Sequence, residues 1–474
     1  MVFRASSRRP APVSAWRCLI FVLLSSVLPV LARAQPEELP ISLPEELLPE
    51  LNQIIQHALA ASPSIQLANL ELARAEANYL VHRAAMLPTV SAQSSYNVSS
   101  QRRDDAGASS DDQGFFYQIG VTQPVFHWGA RKAERDIGAI ALLIQQKRLE
   151  DARAGLASAL RTQYLDLIIR KLHLRNARLN EKLSEKALAA AEERFAAGNI
   201  SESEITNQRL STEEARLSRR RNEHDLETYV RIYAHLSGDP TFNADRIAES
   251  MPAPQVSPEM VEARFARVSP ETIRDLPAAE VQELQLKQNE KRYEIERVRL
   301  RPRVSLIASH GLANLTTATS ATIDQTAVVT TTAGVVVNWT IFDGLASRGA
   351  RLAALAAKRV GERQYENFVT TTLNELRRIQ REIELATDGL AIAERRAGLV
   401  AEALERARAD FAAGRIAQST LDAHLSQSRA TEVSIAGARS QLFARWIEYV
   451  GLAGLDPMRD AVAGDAQPVT DSHE

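Results

Sequence analysis

Nine histidines are the first candidates for metal or proton chemistry: His57, His82, His127, His173, His224, His235, His310, His424 and His473. None stands at a metal-ligand spacing. His224 and His235 share a helical face but lie about 16 Å apart along its axis, too far to hold one ion. The chain has no Gly-x-Ser-x-Gly elbow and no phosphate-cradling glycine loop. Its single cysteine, Cys18, offers neither a disulfide framework nor a paired thiol. The expectation is therefore a chain with no catalytic residue, no metal and no cofactor. What remains is polar contact chemistry at two matching turns. Phe195-Ala196-Ala197-Gly198-Asn199-Ile200 returns as Phe411-Ala412-Ala413-Gly414-Arg415-Ile416. Arg415 takes the place of Asn199, so the two turns differ in charge.

Those turns belong to a duplication. Leu160-Arg161 matches Leu376-Arg377, Val125-Phe126 matches Ile341-Phe342, and Leu236-Ser237-Gly238 matches Leu452-Ala453-Gly454, all at an offset of 216 residues. Upstream the offset is 214, because Pro63 pairs with Pro277 and Leu87-Pro88 with Arg301-Pro302. A two-residue insertion thus lies between Pro302 and Phe342, where a loop absorbs it most easily. The period is far longer than a solenoid repeat, so two large units are expected. They span 51–238 and 277–455, joined by a proline-dense connector over 239–276. Residues 35–50 read as an extended leader and 456–474 as a polar tail.

Each unit opens with a helix broken at the proline, then changes period from 3.6 to 2. Val90, Ala92, Tyr96 and Val98 alternate with Ser91, Gln93, Ser95 and Asn97, which describes a strand with one apolar and one uncharged polar face. Hairpins are expected over 88–126 and 302–342, with polar loops at Asp104–Gly114 and Gly311–Gln325. Helical hairpins are expected over 130–236 and 345–450, where no proline interrupts. A first arm of roughly 65 residues would be on the order of 100 Å long. Leu376, Ile379, Ile383, Ala386, Leu390, Ala393, Ala397, Val400, Leu404, Ala407 and Phe411 step by three and four alternately. That 3.5-residue period predicts supercoiled helices. Leu160, Leu167 and Leu174 mark a matching seam in the first unit.

The N-terminus combines Arg4, Arg8, Arg9 and Arg17 with the apolar run Leu19–Leu24 and an Ala32-Arg33-Ala34 cleavage pattern, so 1–34 reads as a signal peptide. Cys18 lacks the small residues that precede a lipid-modified cysteine. Removing 1–34 takes five arginines and no acid, leaving 52 basic against 59 acidic side chains, a net of −7. Arg219-Arg220-Arg221 is the densest basic run, and Glu213, Glu214, Glu223 and Asp225 surround it. No nucleic-acid partner is expected. Beyond the signal peptide no stretch approaches a transmembrane helix. The two hairpins, nearly free of Lys, Asp and Glu on both faces, suit strands of an outer-membrane barrel with a wet lumen. Four strands cannot close a barrel, so several copies must pool them, and three would give twelve.

The chain resembles the TolC family of outer-membrane channels. The features are the doubled unit, Ala58-Leu59 leading to Ser62-Pro63, Gln123-Pro124-Val125-Phe126 leaving the second strand, Ile341-Phe342-Asp343-Gly344 leaving the fourth, and the two Phe-Ala-Ala-Gly turns. The resemblance implies a mainly α protein with four strands per protomer, a homotrimer with a twelve-stranded barrel in outer-membrane lipid, and a periplasmic α-helical coiled-coil barrel. It implies two partners, a periplasmic adaptor protein and an inner-membrane ABC transporter or other pump. It also implies that Gly198, Gly414, Phe195 and Phe411 are adaptor-contacting tips. Arg415, Glu204 and Asp422 would form a periplasmic gate between neighbouring coils, with Ser419 and Phe411 replacing an aspartate and a tyrosine of the family pattern. Protein export by type I secretion is the expected task, with multidrug or metal efflux the alternative. A structural periplasmic coiled-coil protein would explain the heptads but not the hairpins.

Overall fold

The computed structural model describes residues 43–103, 108–256, 261–262, 265, 268–319 and 322–459. The signal peptide over 1–34 and most of the leader lie outside the described residues. Prolines punctuate the described part because proline fits the first turn of a helix, where its missing N–H has no partner to lose. Pro44, Pro49 and Pro63 open α1 (Pro44–Leu47), α2 (Pro49–Ala61) and α3 (Pro63–Ala84). The expectation of an extended leader is corrected here: Pro44–Leu47 is a helix and the next begins at Pro49, and Leu43, Pro44 and Glu45 are buried. The same prolines that argue against a helix interior are helix starts.

Strands β1 (Thr89–Arg103) and β2 (Ala108–Phe126) follow, then the long helix α4 (Ala130–Ala196) and its return α5 (Glu202–Ser237). After a 3-10 turn at Ala244–Arg246 come α6 (Pro270–Arg274) and α7 (Pro277–Arg297). The second unit then repeats the first with β3 (Arg303–Thr319), β4 (Ile323–Asn338), α8 (Ala346–Ala412) and α9 (Gln418–Leu452). α4 and α8 both have 67 residues, about 100 Å at 1.5 Å per residue.

The four strands form one antiparallel sheet in the order β1-β2-β3-β4. Thr89 opposes Thr122 in the first hairpin and Arg303 opposes Asn338 in the second. These pairs superpose under the offsets of 214 and 216, so both hairpins share one register and the insertion falls at their loop ends. The expected loops are shorter than the sequence suggests. Asp111 to Gly114 lie in β2 opposite Ser100 to Asn97, and Gly311 to Thr319 lie in β3. Small and β-branched polar residues extend the ladder past the span a bilayer demands, since they satisfy it as well as apolar ones do.

The heptad seam of α8 is covered by α9. Leu376, Ile379, Ile383, Leu390, Leu404 and Ala407 are buried, whereas Phe411 at the end is exposed. Leu160, Leu167 and Leu174 are buried on α4. The main core gathers Leu51, Ile55, Ile65, Tyr164, Leu165, Ile168, Tyr233, Phe443 and Ile447 around the middle of α4. There Arg161, fully buried, donates from Nε to Glu45 Oε2 at 2.9 Å and from a terminal nitrogen to Asp456 Oδ1 at 3.1 Å. Asp456 is thus a buried anchor, which corrects the reading of 456–474 as tail from its first residue. Beyond Arg459 that segment lies outside the described residues. Both repeats end in a glycine with left-handed backbone pressed against the start of a proximal helix. A Cβ at Gly238 would meet Ala61 O at 2.6 Å, and one at Gly454 would meet Pro277 Cδ at 2.8 Å.

Candidate functional site: paired helical tips and strand-to-helix joints

At the first tip α4 ends at Ala196 and Gly198 adopts φ +75°. Gly198 N–H donates to Phe195 O at 2.9 Å and Asn199 N–H to Arg194 O at 2.8 Å. The second tip repeats this, with Gly414 at φ +71°, Gly414 N–H on Phe411 O at 2.9 Å and Arg415 N–H on Asp410 O at 2.8 Å. These bonds satisfy the last carbonyls of each helix, the usual task of a glycine just beyond a helix end. No atom lies within 4 Å of a Cβ built at either glycine, so backbone conformation alone selects it.

The side chains are not equivalent. Ser201 Oγ accepts from Glu204 N–H at 3.2 Å and caps α5, whereas α9 begins after Ala417 with no side-chain cap. Arg415 pairs with Asp410 at 3.1 Å, and Glu204 stands 4.0 Å from Arg194. Asp422 accepts from Gln418 Nε2 at 2.9 Å. Within one chain Arg415, Glu204 and Asp422 are therefore not brought together. Each has its own local partner. Phe195 and Phe411 are both exposed beside their glycines. Sequence reasoning missed Arg194 and Asp410, although the offset of 216 makes them equivalent positions of opposite charge.

A second pair of equivalent places joins strands to long helices. After β2, Trp128 and Gly129 take φ +54° and +82°; after β4, Gly344 and Leu345 take +66° and +73°. Two successive left-handed residues turn each strand sharply into its helix, and each joint spends one non-glycine residue where glycine would be unstrained. Gln123 Nε2 donates to Met86 O at 3.0 Å, and its counterpart Trp339 Nε1 donates to Leu300 O at 3.1 Å. Both tie the returning strand to the residue two before a proline. Trp128 Nε1 adds a bond to Pro302 O at 2.8 Å, and the Arg301 guanidinium lies 4.6 Å from the Trp128 ring centre. His127 lies 3.5 Å from Ser305 Oγ, and its pKa is held below the ordinary histidine range by burial and then by Arg131 and Arg303. Its counterpart Asp343 accepts from Ser347 N–H at 2.9 Å, and bonds from Ser347 hold that carboxyl low. Among the described residues no cluster of three metal-capable side chains occurs, and no helix is long and apolar enough to cross a membrane.

On the sheet, Gln93, Ser95, Gln118, Ser309 and Thr330 line a hollow of about 350 Å³. Phe116, Ala313 and Val328 line it too, so the hollow lies on the mainly polar face of the sheet. Val90, Tyr96, Ile119 and Val335 lie on the opposite face and are exposed. A sheet with one mainly polar and one apolar face, carried by two duplicated helical hairpins, matches one family over most of its length. The pattern of the outer membrane efflux protein family fits residues 54–231 and 273–454. The chain belongs to that family. Outer membrane protein OprJ of Pseudomonas aeruginosa is 24% identical over 268 residues, a match spanning 55% of this chain and 54% of OprJ. The CmeC outer membrane channel of Campylobacter jejuni superposes with a TM-score of 0.68 at 15% identity, covering 85% of each chain. The open MtrE outer membrane channel of Neisseria gonorrhoeae gives 0.61 at 17% identity, covering 86% of this chain and 89% of that one. The fold is that of TolC-like channels, and the protein resides in the outer membrane with its helices extending into the periplasm. Its family is one of transport channels and not of enzymes.

Proposed function

We propose that three copies of the chain close a twelve-stranded barrel continued by a helical tunnel, a conduit for export across the periplasm and outer membrane. One observation carries this reading: a four-stranded sheet with a mainly polar face, an exposed apolar face and two open edges, β1 and β4. In lipid an unpaired strand edge is very costly, so the sheet has to close, and four strands cannot close on themselves. The partners are a periplasmic adaptor, seated at the Phe195 and Phe411 tips, and an inner-membrane ABC transporter or other pump. Arg415, Glu204 and Asp422 act at the tips between neighbouring copies, exchanging their in-chain partners for one another as the entrance shuts.

The cargo in this reading is an unfolded protein toxin, such as cyclolysin, delivered by type I secretion. Support comes from the mainly polar face of the sheet, whose Ser, Thr and Gln side chains and glycines offer a sliding polypeptide few charges to bind. Small-molecule efflux is the second reading, favoured by the family to which the chain belongs. Deleting the gene separates them. Loss of secretion of a large toxin with a C-terminal signal, at unchanged drug susceptibility, is expected; lost drug resistance with intact secretion would establish efflux instead.

A further inference from the structure

The turn between α7 and β3 carries a cation for which the fold supplies no counter-ion. Arg301 is exposed and makes no ion pair among the described residues, whereas Arg299, two residues earlier, is held by Glu296 at 3.2 Å. Two indoles frame it. Trp128 follows β2 and Trp339 follows β4, the strands on either side of β3. Trp128 Nε1 donates to Pro302 O at 2.8 Å and Trp339 Nε1 to Leu300 O at 3.1 Å, so both rings bond into the turn Leu300-Arg301-Pro302. The guanidinium lies 4.6 Å from the Trp128 ring centre. Resting on the channel reading above, we propose that this turn binds the phosphate of an anionic phospholipid in the periplasmic leaflet.

Strand register places the turn at the edge of the lipid-facing surface. Val304, Leu306, Ala308 and Leu312 share the face of Val90, Val121 and Val335, opposite the hollow. His310 interrupts them and bonds to Thr331 Oγ1 at 2.8 Å. The run from Val304 to Leu312 is about the length a tilted strand needs to cross the hydrocarbon, and Arg301 lies just beyond it on the helix side. Phe126 opposes Val304 on this face, and the Trp128 ring packs edge-on against it with centroids 4.8 Å apart. Trp339 continues the alternation of Val335 and Val337. The indoles are 40% and 60% exposed. A ring whose N–H is bonded to the protein and whose body is bare suits the boundary between hydrocarbon and headgroups. A guanidinium beside it can take a phosphate in a bidentate pair.

The duplication shows that the turn itself does not require these side chains. Under the offsets of 214 and 216, Arg301 corresponds to Leu87, Trp128 to Gly344 and Trp339 to Gln123, while Pro302 corresponds to Pro88. The turn at Pro88 keeps a side-chain bond, from Gln123 to Met86 O, but has neither cation nor indole. Arg303 lies on the hollow's side of β3 with Ser309 and takes no part. A soluble phosphate would use the cation and leave both rings idle. A phospholipid uses all three groups, its phosphate on Arg301 and its glycerol and first methylenes on the indoles.

Tryptophan fluorescence tests the site. Beyond the expected signal peptide the chain has only Trp128, Trp339 and Trp446, and Trp446 is 1% exposed in the core. The full-length protein, expressed with its signal peptide and purified from membranes, is reconstituted into phosphatidylcholine vesicles. Part of the lipid is then replaced by phosphatidylglycerol or phosphatidylcholine brominated on the acyl chains. Brominated phosphatidylglycerol should give half-maximal quenching at about a fivefold lower mole fraction than brominated phosphatidylcholine. Arg301→Gln should make the two lipids equal. Equal quenching in the wild type would overturn the site. So would a preference that survives Arg301→Gln, or one that excess inorganic phosphate abolishes at constant ionic strength, which would mark a site for a soluble anion. All of these leave the channel reading intact. Absence of quenching by either lipid would remove the sheet from the bilayer and overturn both.

Discussion

Arg161 shows how much one side chain can hold. Its guanidinium lies between Glu45, which precedes the first long core helix, and Asp456, which follows the last helix, with both carboxylates buried. Removing the cation leaves two buried anions facing each other, which is far more damaging than removing the whole cluster. Arg161→Ala should destabilise the fold by about 3 to 5 kcal/mol, while Arg161→Met combined with Glu45→Gln and Asp456→Asn should recover most of that in thermal unfolding. Truncation just before Asp456 should reproduce the loss and truncation after Arg459 should not. At the tips the energies are small, because exposed ion pairs contribute about 0 to 1 kcal/mol each. Arg415→Ser is expected to raise single-channel conductance and antibiotic leakage, and unchanged conductance would remove Arg415 from the gate. Asp410→Asn, which frees Arg415 from its in-chain partner, should lower conductance.

The elements were largely legible because their signals are periodic. The shift from a period of 3.6 to one of 2 after Pro88, and the three-four stepping from Leu376 to Phe411, describe strands and coiled helices without reference to anything distant. Places where sequence reasoning failed share a cause. Pro44 and Pro49 open helices that only burial of Leu43, Leu48 and Leu51 against the core stabilises, and Asp456 becomes structural only because Arg161 meets it across the fold. Such contacts carry no local period. Arg194 and Asp410 were readable in principle, since aligning the repeats exposes their opposite charges. Seam burial gives a direct check at this scale. Ile379→Ala or Ile383→Ala, at fully buried positions, should cost about 2 to 5 kcal/mol in thermal unfolding. Leu345→Gly removes a side chain from a left-handed position and should gain about 1 kcal/mol by the same measurement.

Across the whole molecule, the two repeats have the same register, the same glycine-locked helix ends and the same strand-to-helix joints, yet different charges at several equivalent places, Arg194 and Asp410 among them. Salt should therefore act unequally. Raising ionic strength weakens the exposed pairs along α4, α5 and α7, whereas the strand pairing by which the proposed barrel closes is not screened. The assembled state measured by sedimentation in mild detergent should persist at about 1 M salt, where the Debye length is near 3 Å; dissociation under those conditions would mean that charge pairs hold the copies together.

The joints also set a mechanical scale. Only His127, Trp128 and Gly129 separate β2 from a 67-residue helix, so the strand end acts as a fulcrum with almost no slack and the helix as a lever about 100 Å long. A tilt of 3° at that fulcrum carries the far end by about 5 Å, more than a hydrogen bond's reach. Movements too small to disturb the strand ladder are thus large enough to make or break contacts at the tips, and the left-handed turn at Trp128 and Gly129 is where that leverage originates.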